Sequence, residues 1–186
     1  GAVVRAAVAG GASVTVPHLA SDDPARLASS LPEGARVDTR VANASEEDDV
    51  AALFDACERV DALIHLVGGF RMDAFDALTL ADFRAHHELV LTTTFLCCKH
   101  ALRRMRGQGY GRIVTIGSKA VDQPMGQTAA YASAKAGVVA LTRVLAEETK
   151  GSDITANCVM PSIIDTPANR AAMGEPQGWV TPASLA

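Results

Sequence analysis

Tyr131 and Lys135 stand four residues apart in a stretch with helical character, a spacing that places both side chains on one helix face. An ammonium close to a phenol stabilises the phenolate, so such a tyrosine can exchange a proton with a substrate oxygen near neutral pH. Ser118 follows an apolar run, and its hydroxyl can donate a hydrogen bond to the same oxygen. Together these residues predict acid–base chemistry at a substrate oxygen.

Each of these residues also has an ordinary structural explanation. A tyrosine and a lysine at helical spacing often occur by chance, and a lone serine suits a helix cap or a loop. Ser118 lies in the sequence IGSKA at 116–120, which lacks the G-x-S-x-G elbow of serine hydrolases. The chemistry therefore depends on the elements that position the three residues.

Short apolar runs alternate with longer helical patterns along the chain. Strands are predicted over 13–16, 35–41, 62–67, 112–116 and 154–159, and helices over 24–30, 45–59, 81–106 and 128–150. Such alternation with right-handed crossovers predicts a parallel sheet that carries helices on both faces. Ligands bind beyond the carboxyl ends of the strands in such sheets, where Gly68, Gly69, Ser118 and Pro161 are predicted to converge.

Composition narrows the classes of protein that fit. The 186 residues suffice for one domain with a sizeable core, and we predict a single domain over 1–186. The net charge of −4 does not favour a nucleic-acid or anionic-membrane partner, and no apolar stretch approaches the ~20 residues of a membrane span. The four cysteines form no CxxC pair and no zinc-binding spacing, which indicates reduced thiols, no metal site and a cytoplasmic location.

Several motifs in order along the chain resemble the short-chain dehydrogenase/reductase family. YASAK at 131–135 is similar to the family's YxxxK signature, and Ser118 precedes Tyr131 by thirteen residues, as the family's catalytic serine usually does. GRIVTIGS at 111–118 and NCVMPS at 157–162 resemble the strands that flank the signature. The resemblance covers nearly the whole chain and implies a Rossmann-type doubly wound parallel sheet in three α/β/α layers.

The resemblance implies an NAD(P)-dependent oxidoreductase that interconverts a carbonyl and an alcohol by hydride transfer. Tyr131 would be the general acid in ketone reduction or the base in alcohol oxidation. Lys135 would tune Tyr131 and hold the nicotinamide ribose, and Ser118 would orient the substrate oxygen.

The cofactor would be NADP or NAD, and its implied contacts are Asn43, Gly68, Gly69, Tyr131, Lys135, Pro161, Ile163 and Thr166. Asn43 falls where the family contacts adenine, but a loop or capping role explains it equally well. NAD preference usually rests on an acid at the end of the second strand. The corresponding stretch, VPH at 16–18, has no acid and no adjacent Arg or Lys, which favours NADP slightly.

The sequence departs from the family at three places. Both ends look cut: the chain starts near the last glycine of the family's phosphate-binding loop, and the family normally continues well past Ala186. HLVG at 65–68 replaces the family's NNAG. Val90 replaces an active-site Asn that holds a water in the family's proton relay, and a valine cannot hold that water.

Two alternatives accompany the main hypothesis. Stretches at 67–70, 117–120 and 165–170 are similar to dihydropteridine reductase, a family member that lacks the serine. A non-catalytic nucleotide-binding scaffold would also explain Val90, although it has no need of Ser118, Tyr131 and Lys135. In either enzyme the partner is a small-molecule substrate, bound in part by residues 168–178. Family resemblance further implies a homodimer or homotetramer, with Phe95 and residues 138–145 as candidate contacts or as buried core.

Overall fold

The computed structural model of the protein describes residues 1–175 and 178–186, and all their side chains except those of Arg26, Ala168, Ala172 and Met173. The regular elements follow in the order α1 (Ala2–Ala9), β1 (Val14–His18), α2 (Ala25–Ala28), β2 (Val37–Val41), α3 (Glu47–Asp55), β3 (Ala62–His65), α4 (Leu80–His87), a π-helical segment (Glu88–Thr92), α5 (Thr93–Gln108), β4 (Gly111–Ile116), a 3-10 turn (Lys119–Val121), α6 (Ala129–Glu148), β5 (Ile154–Val159), α7 (Pro167–Met173) and α8 (Pro182–Leu185).

The chain divides into two compact units. The first unit comprises Gly1–Asn43 and Ser162–Ala186, and the second unit comprises Ala44–Pro161. In the first unit β1 and β2 form a parallel pair, and α8 packs against α1. No helix in the described part of the chain is both long enough and apolar enough to cross a membrane.

All strand pairs of the two sheets are parallel, which confirms the α/β class that the alternation of elements predicts. The single sheet of the prediction is nevertheless present as two sheets, β1-β2 in the first unit and β3-β4-β5 in the second. No strand pairing among the described residues joins the two sheets.

One face of the second unit's sheet carries the core. Residues Gly111, Ile113 and Thr115 of β4 alternate inward and are buried, as expected for the period-two side chains of a strand. On this face the Thr115 hydroxyl lies 2.6 Å from that of Thr142 in α6. Helices α3 and α5 complete the packing with an apolar cluster that includes Val50, Phe54, Leu96, Ala101, Met105, Ile113 and Ile154.

The helix predicted over 81–106 is interrupted. Between α4 and α5 the backbone forms the π-helical segment Glu88–Thr92, and Val90 at its centre is fully buried. The hydroxyl of Thr93 donates to Leu89 O (2.8 Å) and that of Thr94 donates to Val90 O (2.6 Å). Side-chain bonds of this kind compete with the backbone ladder and bend helices. Short π-helical segments inside helices are often found at functional sites.

Candidate active site

Lys135 is a buried lysine whose ammonium is anchored to the sheet. The side chain is 7% exposed, and Nζ donates a 2.7 Å hydrogen bond to the carbonyl oxygen of Ile116, the last residue of β4. Burial lowers the pKa of Lys135, and the nearby thiol of Cys158 opposes that shift. The helix α6 is therefore tied to the end of the strand that leads into Ser118.

Ser118 begins the 3-10 turn that follows β4. Its side chain is buried, and Oγ accepts a hydrogen bond from the backbone N–H of Ala120 at 3.2 Å. Its own O–H has no acceptor among the residues that the structure describes. A buried hydroxyl in this state can donate its proton to a substrate oxygen.

The ring of Tyr131 is half-buried and is flanked by two aromatic rings. Phe70 meets it edge to face, with ring centroids 5.0 Å apart and planes at 79°. The ring of His86, from α4, lies 6.0 Å away on centroids. Edge-to-face pairs stabilise a ring in one orientation, and Tyr131 precedes Lys135 by one turn of α6.

Gly68 and Gly69 follow β3 and give close access to Lys135. A Cβ at Gly68 would lie 3.6 Å from Lys135 Nζ and 3.9 Å from a methyl of Val90. At Gly69 a Cβ would lie 3.1 Å from a methyl of Leu89, a tight contact. Gly68 thus keeps the space in front of the ammonium free of a side chain, and Gly69 allows the close approach of Leu89.

Comparison with known proteins agrees with this geometry. The sequence matches the family described as short chain dehydrogenase over residues 1–176. The chain belongs to the short-chain dehydrogenase/reductase family. It is 42% identical over 118 residues, 63% of this chain, to (2S)-[(R)-hydroxy(phenyl)methyl]succinyl-CoA dehydrogenase subunit BbsD of Thauera aromatica, and that match covers 47% of the subunit.

Solved structures of the same family share the fold. Levodione reductase aligns with a TM-score of 0.86 at 28% identity, over 92% of this chain and 70% of the reductase. A gluconate 5-dehydrogenase from Burkholderia cenocepacia J2315, in complex with NADP and tartrate, aligns with a TM-score of 0.85 at 26% identity, over 94% of this chain and 70% of that one. These matches confirm the Rossmann-type fold. The chain spans about half the length of the curated relatives it matches, between 47% and 59% for three of them.

The family motifs fall into both units of the chain. The second unit contains Ser118, Tyr131, Lys135, Gly68, Gly69 and Pro161. Pro161 O accepts a 3.0 Å bond from Lys119 N, which fixes the loop after β5 beside the turn that carries Ser118.

The other predicted cofactor contacts, Asn43, Ile163 and Thr166, belong to the first unit. Thr166 caps α7 there by accepting from Asn169 N at 3.2 Å, and Ile163 O accepts from Val180 N at 2.9 Å. The predicted substrate segment 168–178 also belongs to the first unit, apart from residues 176–177, which lie outside the described residues.

Two histidines near the site have no role in the sequence-based prediction. His65 at the end of β3 is 4% exposed, and burial together with the charge of Lys135 lowers its pKa to about 4. His86 is 6% exposed, and burial is the main cause of its lowered pKa. The only sequence signal for His65 is its departure from NNAG, because its burial arises from helices distant in sequence.

All four cysteines are unpaired thiols, as the sequence predicts for the described chain. Cys97 and Cys98 lie in the core, where burial raises their pKa values to about 11 and about 12. Thiols in this state are neutral and poorly reactive, so these two residues belong to the packing of α5.

Proposed function

We propose that this chain carries the catalytic core of an NAD(P)-dependent oxidoreductase that interconverts a carbonyl and an alcohol. The observation that carries the proposal is the buried Lys135 ammonium, bonded to Ile116 O at 2.7 Å and one helical turn from Tyr131. That bond joins the helix with the acid–base pair to the strand that leads into Ser118.

In the reductive direction Tyr131 gives its phenolic proton to the carbonyl oxygen, and in the oxidative direction its phenolate takes the proton of the alcohol. Acid–base catalysis of this kind is worth ~10²–10⁴ in rate. Ser118, with its O–H free of acceptors among the described residues, donates a hydrogen bond to the same oxygen. Lys135 stabilises the phenolate that Tyr131 becomes after it has given up the proton.

The residues in the second unit fit a nicotinamide cofactor. Gly68 leaves room in front of Lys135 for a ribose, the neighbouring Gly69 is a further proposed contact, and the ammonium has donors beyond the one bonded to Ile116 O. When bound, the nicotinamide supplies or accepts the hydride at the substrate carbon. Pro161 of this unit, and Asn43, Ile163 and Thr166 of the first unit, are the further contacts that we propose.

We propose NADP(H) as the preferred cofactor, with NAD(H) as the alternative. β1 ends at His18 without an acid, and His18 Nδ1 lies 2.8 Å from Leu19 O. The acid that follows, Asp22, accepts a hydrogen bond from the backbone N–H of Leu19 at 2.9 Å. The lack of an acid at the end of β1 itself, where a ribose diol would be held, supports NADP(H).

Titration with NADPH and NADH, followed by nicotinamide fluorescence, tests the proposed site. We expect saturable binding with a lower Kd for NADPH. Lys135→Met should weaken it by about tenfold or more, since hydrogen bonds to charged groups contribute about 1.5–3 kcal/mol. Lys150 is an exposed lysine two residues after the end of α6. Lys150→Met is therefore the matched control and should leave Kd unchanged. Absence of saturable binding of either nucleotide would contradict the proposed cofactor site.

We further propose a homodimer or homotetramer and a cytoplasmic location. Phe95 of α5 is 46% exposed and Val144 of α6 is 54% exposed, and both helices are long. Exposed apolar side chains on two such helices support a protein–protein contact. Val138, by contrast, is 1% exposed and belongs to the core. The four unpaired thiols support the location.

A further inference from the structure

We infer that His65 is a positioning residue for Lys135, with Nε2 of its buried imidazole acting as a hydrogen-bond acceptor for the Lys135 ammonium. The inference rests on the proposed function, because Lys135 is the residue that His65 would position. It concerns a histidine that stands where the family's pattern has a different residue.

The hydrogen bonds around His65 determine which of its nitrogens carries the proton. Thr94 Oγ1 donates its proton to Val90 O at 2.6 Å, and His65 Nδ1 lies 3.2 Å from Thr94 Oγ1. Because the hydroxyl proton is already used, Thr94 Oγ1 can only accept from His65, so Nδ1 carries the imidazole proton. Nε2 is then the unprotonated nitrogen, and it presents a lone pair.

That lone pair has no partner among the residues that the structure describes. His65 is 4% exposed, and Nε2 itself is shielded from solvent. A buried acceptor without a donor is unfavourable. The position therefore calls for a nearby donor that can reach it.

The Lys135 ammonium is the charged donor at this end of the sheet. β3 and β4 are paired so that His65 lies opposite Thr115, and Nζ bonds to the carbonyl of the next residue, Ile116, at 2.7 Å. Three residues after His65, a Cβ at Gly68 would lie 3.6 Å from Nζ. Nζ thus lies between the ends of the two strands, with two further N–H groups on a flexible stem.

Charge considerations agree with this assignment. His65 is neutral near pH 7, because its pKa is lowered to about 4 by burial and by the positive charge of Lys135. A neutral imidazole accepts from an ammonium without repelling it. Other titratable groups around this end of the sheet include Cys158 on β5, His86 on α4, Tyr131 on α6 and Lys119 in the turn after β4, and Arg71, Asp73 and His87 act on His86.

The test is the pH titration of Lys135 by NMR in the full chain labelled with [¹³C,¹⁵N]lysine. The chain has only four lysines, Lys99, Lys119, Lys135 and Lys150, and Lys135→Met assigns the resonance. With the acceptor removed, the charged form loses a hydrogen bond, so His65→Leu should lower the Lys135 midpoint by about one pH unit.

Two substitutions separate positioning from mere packing. A glutamine at this position can place Oε1 near the place of Nε2, whereas an asparagine reaches only as far as Nδ1. We therefore expect the Lys135 midpoint to change little in His65→Gln. In His65→Asn it should fall as it does in His65→Leu. This polar pair keeps the test decisive if His65→Leu does not fold.

His100→Leu is the matched control, because His100 is also a buried histidine but lies in α5 beside Glu47. It should leave the Lys135 midpoint unchanged. An unchanged midpoint in His65→Leu or His65→Asn, or an equal shift in His100→Leu, would overturn the inference. The measurement needs neither cofactor nor substrate, so failure of the proposed oxidoreductase activity would be seen separately.

Discussion

Lys135 and His65 form a buried polar pair whose protonation states are set by their surroundings. Burial is the largest cause of the lowered pKa of each residue, and the positive charge of Lys135 lowers the pKa of His65 further. The imidazole of His65 is therefore neutral near pH 7. The protonated imidazole is excluded from the native state at that pH.

The pKa of His65 predicts a loss of stability in acid. In the native state it is lowered to about 4 from an ordinary 6.5, so between these values the unfolded chain binds a proton that the native chain does not. The free energy of unfolding is therefore at its full value above about pH 6.5, and it falls by about 3 kcal/mol as the pH is lowered to about 4. We expect urea unfolding to show this loss between about pH 7 and about pH 4.5.

Substitution of His65 isolates its share of that loss. In His65→Gln the difference in unfolding free energy between the two pH values should shrink by most of the ~3 kcal/mol. His86, whose pKa is also lowered by burial, should account for part of what remains. His18, which is half-buried in the other unit of the chain, provides the control His18→Gln. An equal pH dependence in His65→Gln and the natural sequence would show that His65 takes up its proton without cost.

The sequence predicts the catalytic residues better than it predicts their neighbours. Tyr131, Lys135 and Ser118 are identified by type and spacing, because the chemistry requires those groups at those intervals. Phe70 and His86 flank the Tyr131 ring, but they come from a loop and a helix whose positions depend on packing across the second unit. No local pattern marks either of them.

At the scale of the elements, the π-helical segment Glu88–Thr92 is the main difference from prediction. Apolar periodicity predicts one helix over 81–106, because one extra residue in a turn changes the pattern very little. The bonds from Thr93 and Thr94 to carbonyls four residues earlier explain the change only after the backbone is known. On α6, a Cβ at Gly137 would lie 2.8 Å from a methyl of Leu91, so this glycine permits the close approach of the two elements.

The exposed faces of α5 and α6 predict self-association. We expect the full chain to sediment as a dimer or tetramer, and Phe95→Glu or Val144→Glu to shift it to a smaller species, because a charge at a buried apolar contact is costly. Phe75 is 81% exposed in the loop before α4, and Phe75→Glu serves as the control. A clean monomer of the natural sequence at micromolar concentration would exclude the proposed contact.

For the whole molecule, the alternation of strands and helices suffices to predict parallel pairing, which is a consequence of right-handed crossovers. It does not predict which strands are neighbours, here β1-β2 and β3-β4-β5, because that order depends on how the connecting helices pack and not on the apolar pattern of each strand. The catalytic residues and the two glycines all lie in the second unit, Ala44–Pro161. The chemistry that we propose is thus carried by residues of one unit.

The most direct test of the central claim is steady-state reduction of a panel of aryl and alkyl ketones with NADPH and NADH. The chain has two tyrosines, Tyr110 and Tyr131, which provide a matched pair of substitutions. We predict that Tyr131→Phe lowers kcat by ~10²–10⁴ with little change in KM, whereas Tyr110→Phe retains the natural rate. Turnover that survives unchanged in Tyr131→Phe would contradict the assignment of Tyr131 as the general acid, and with it the account of this site.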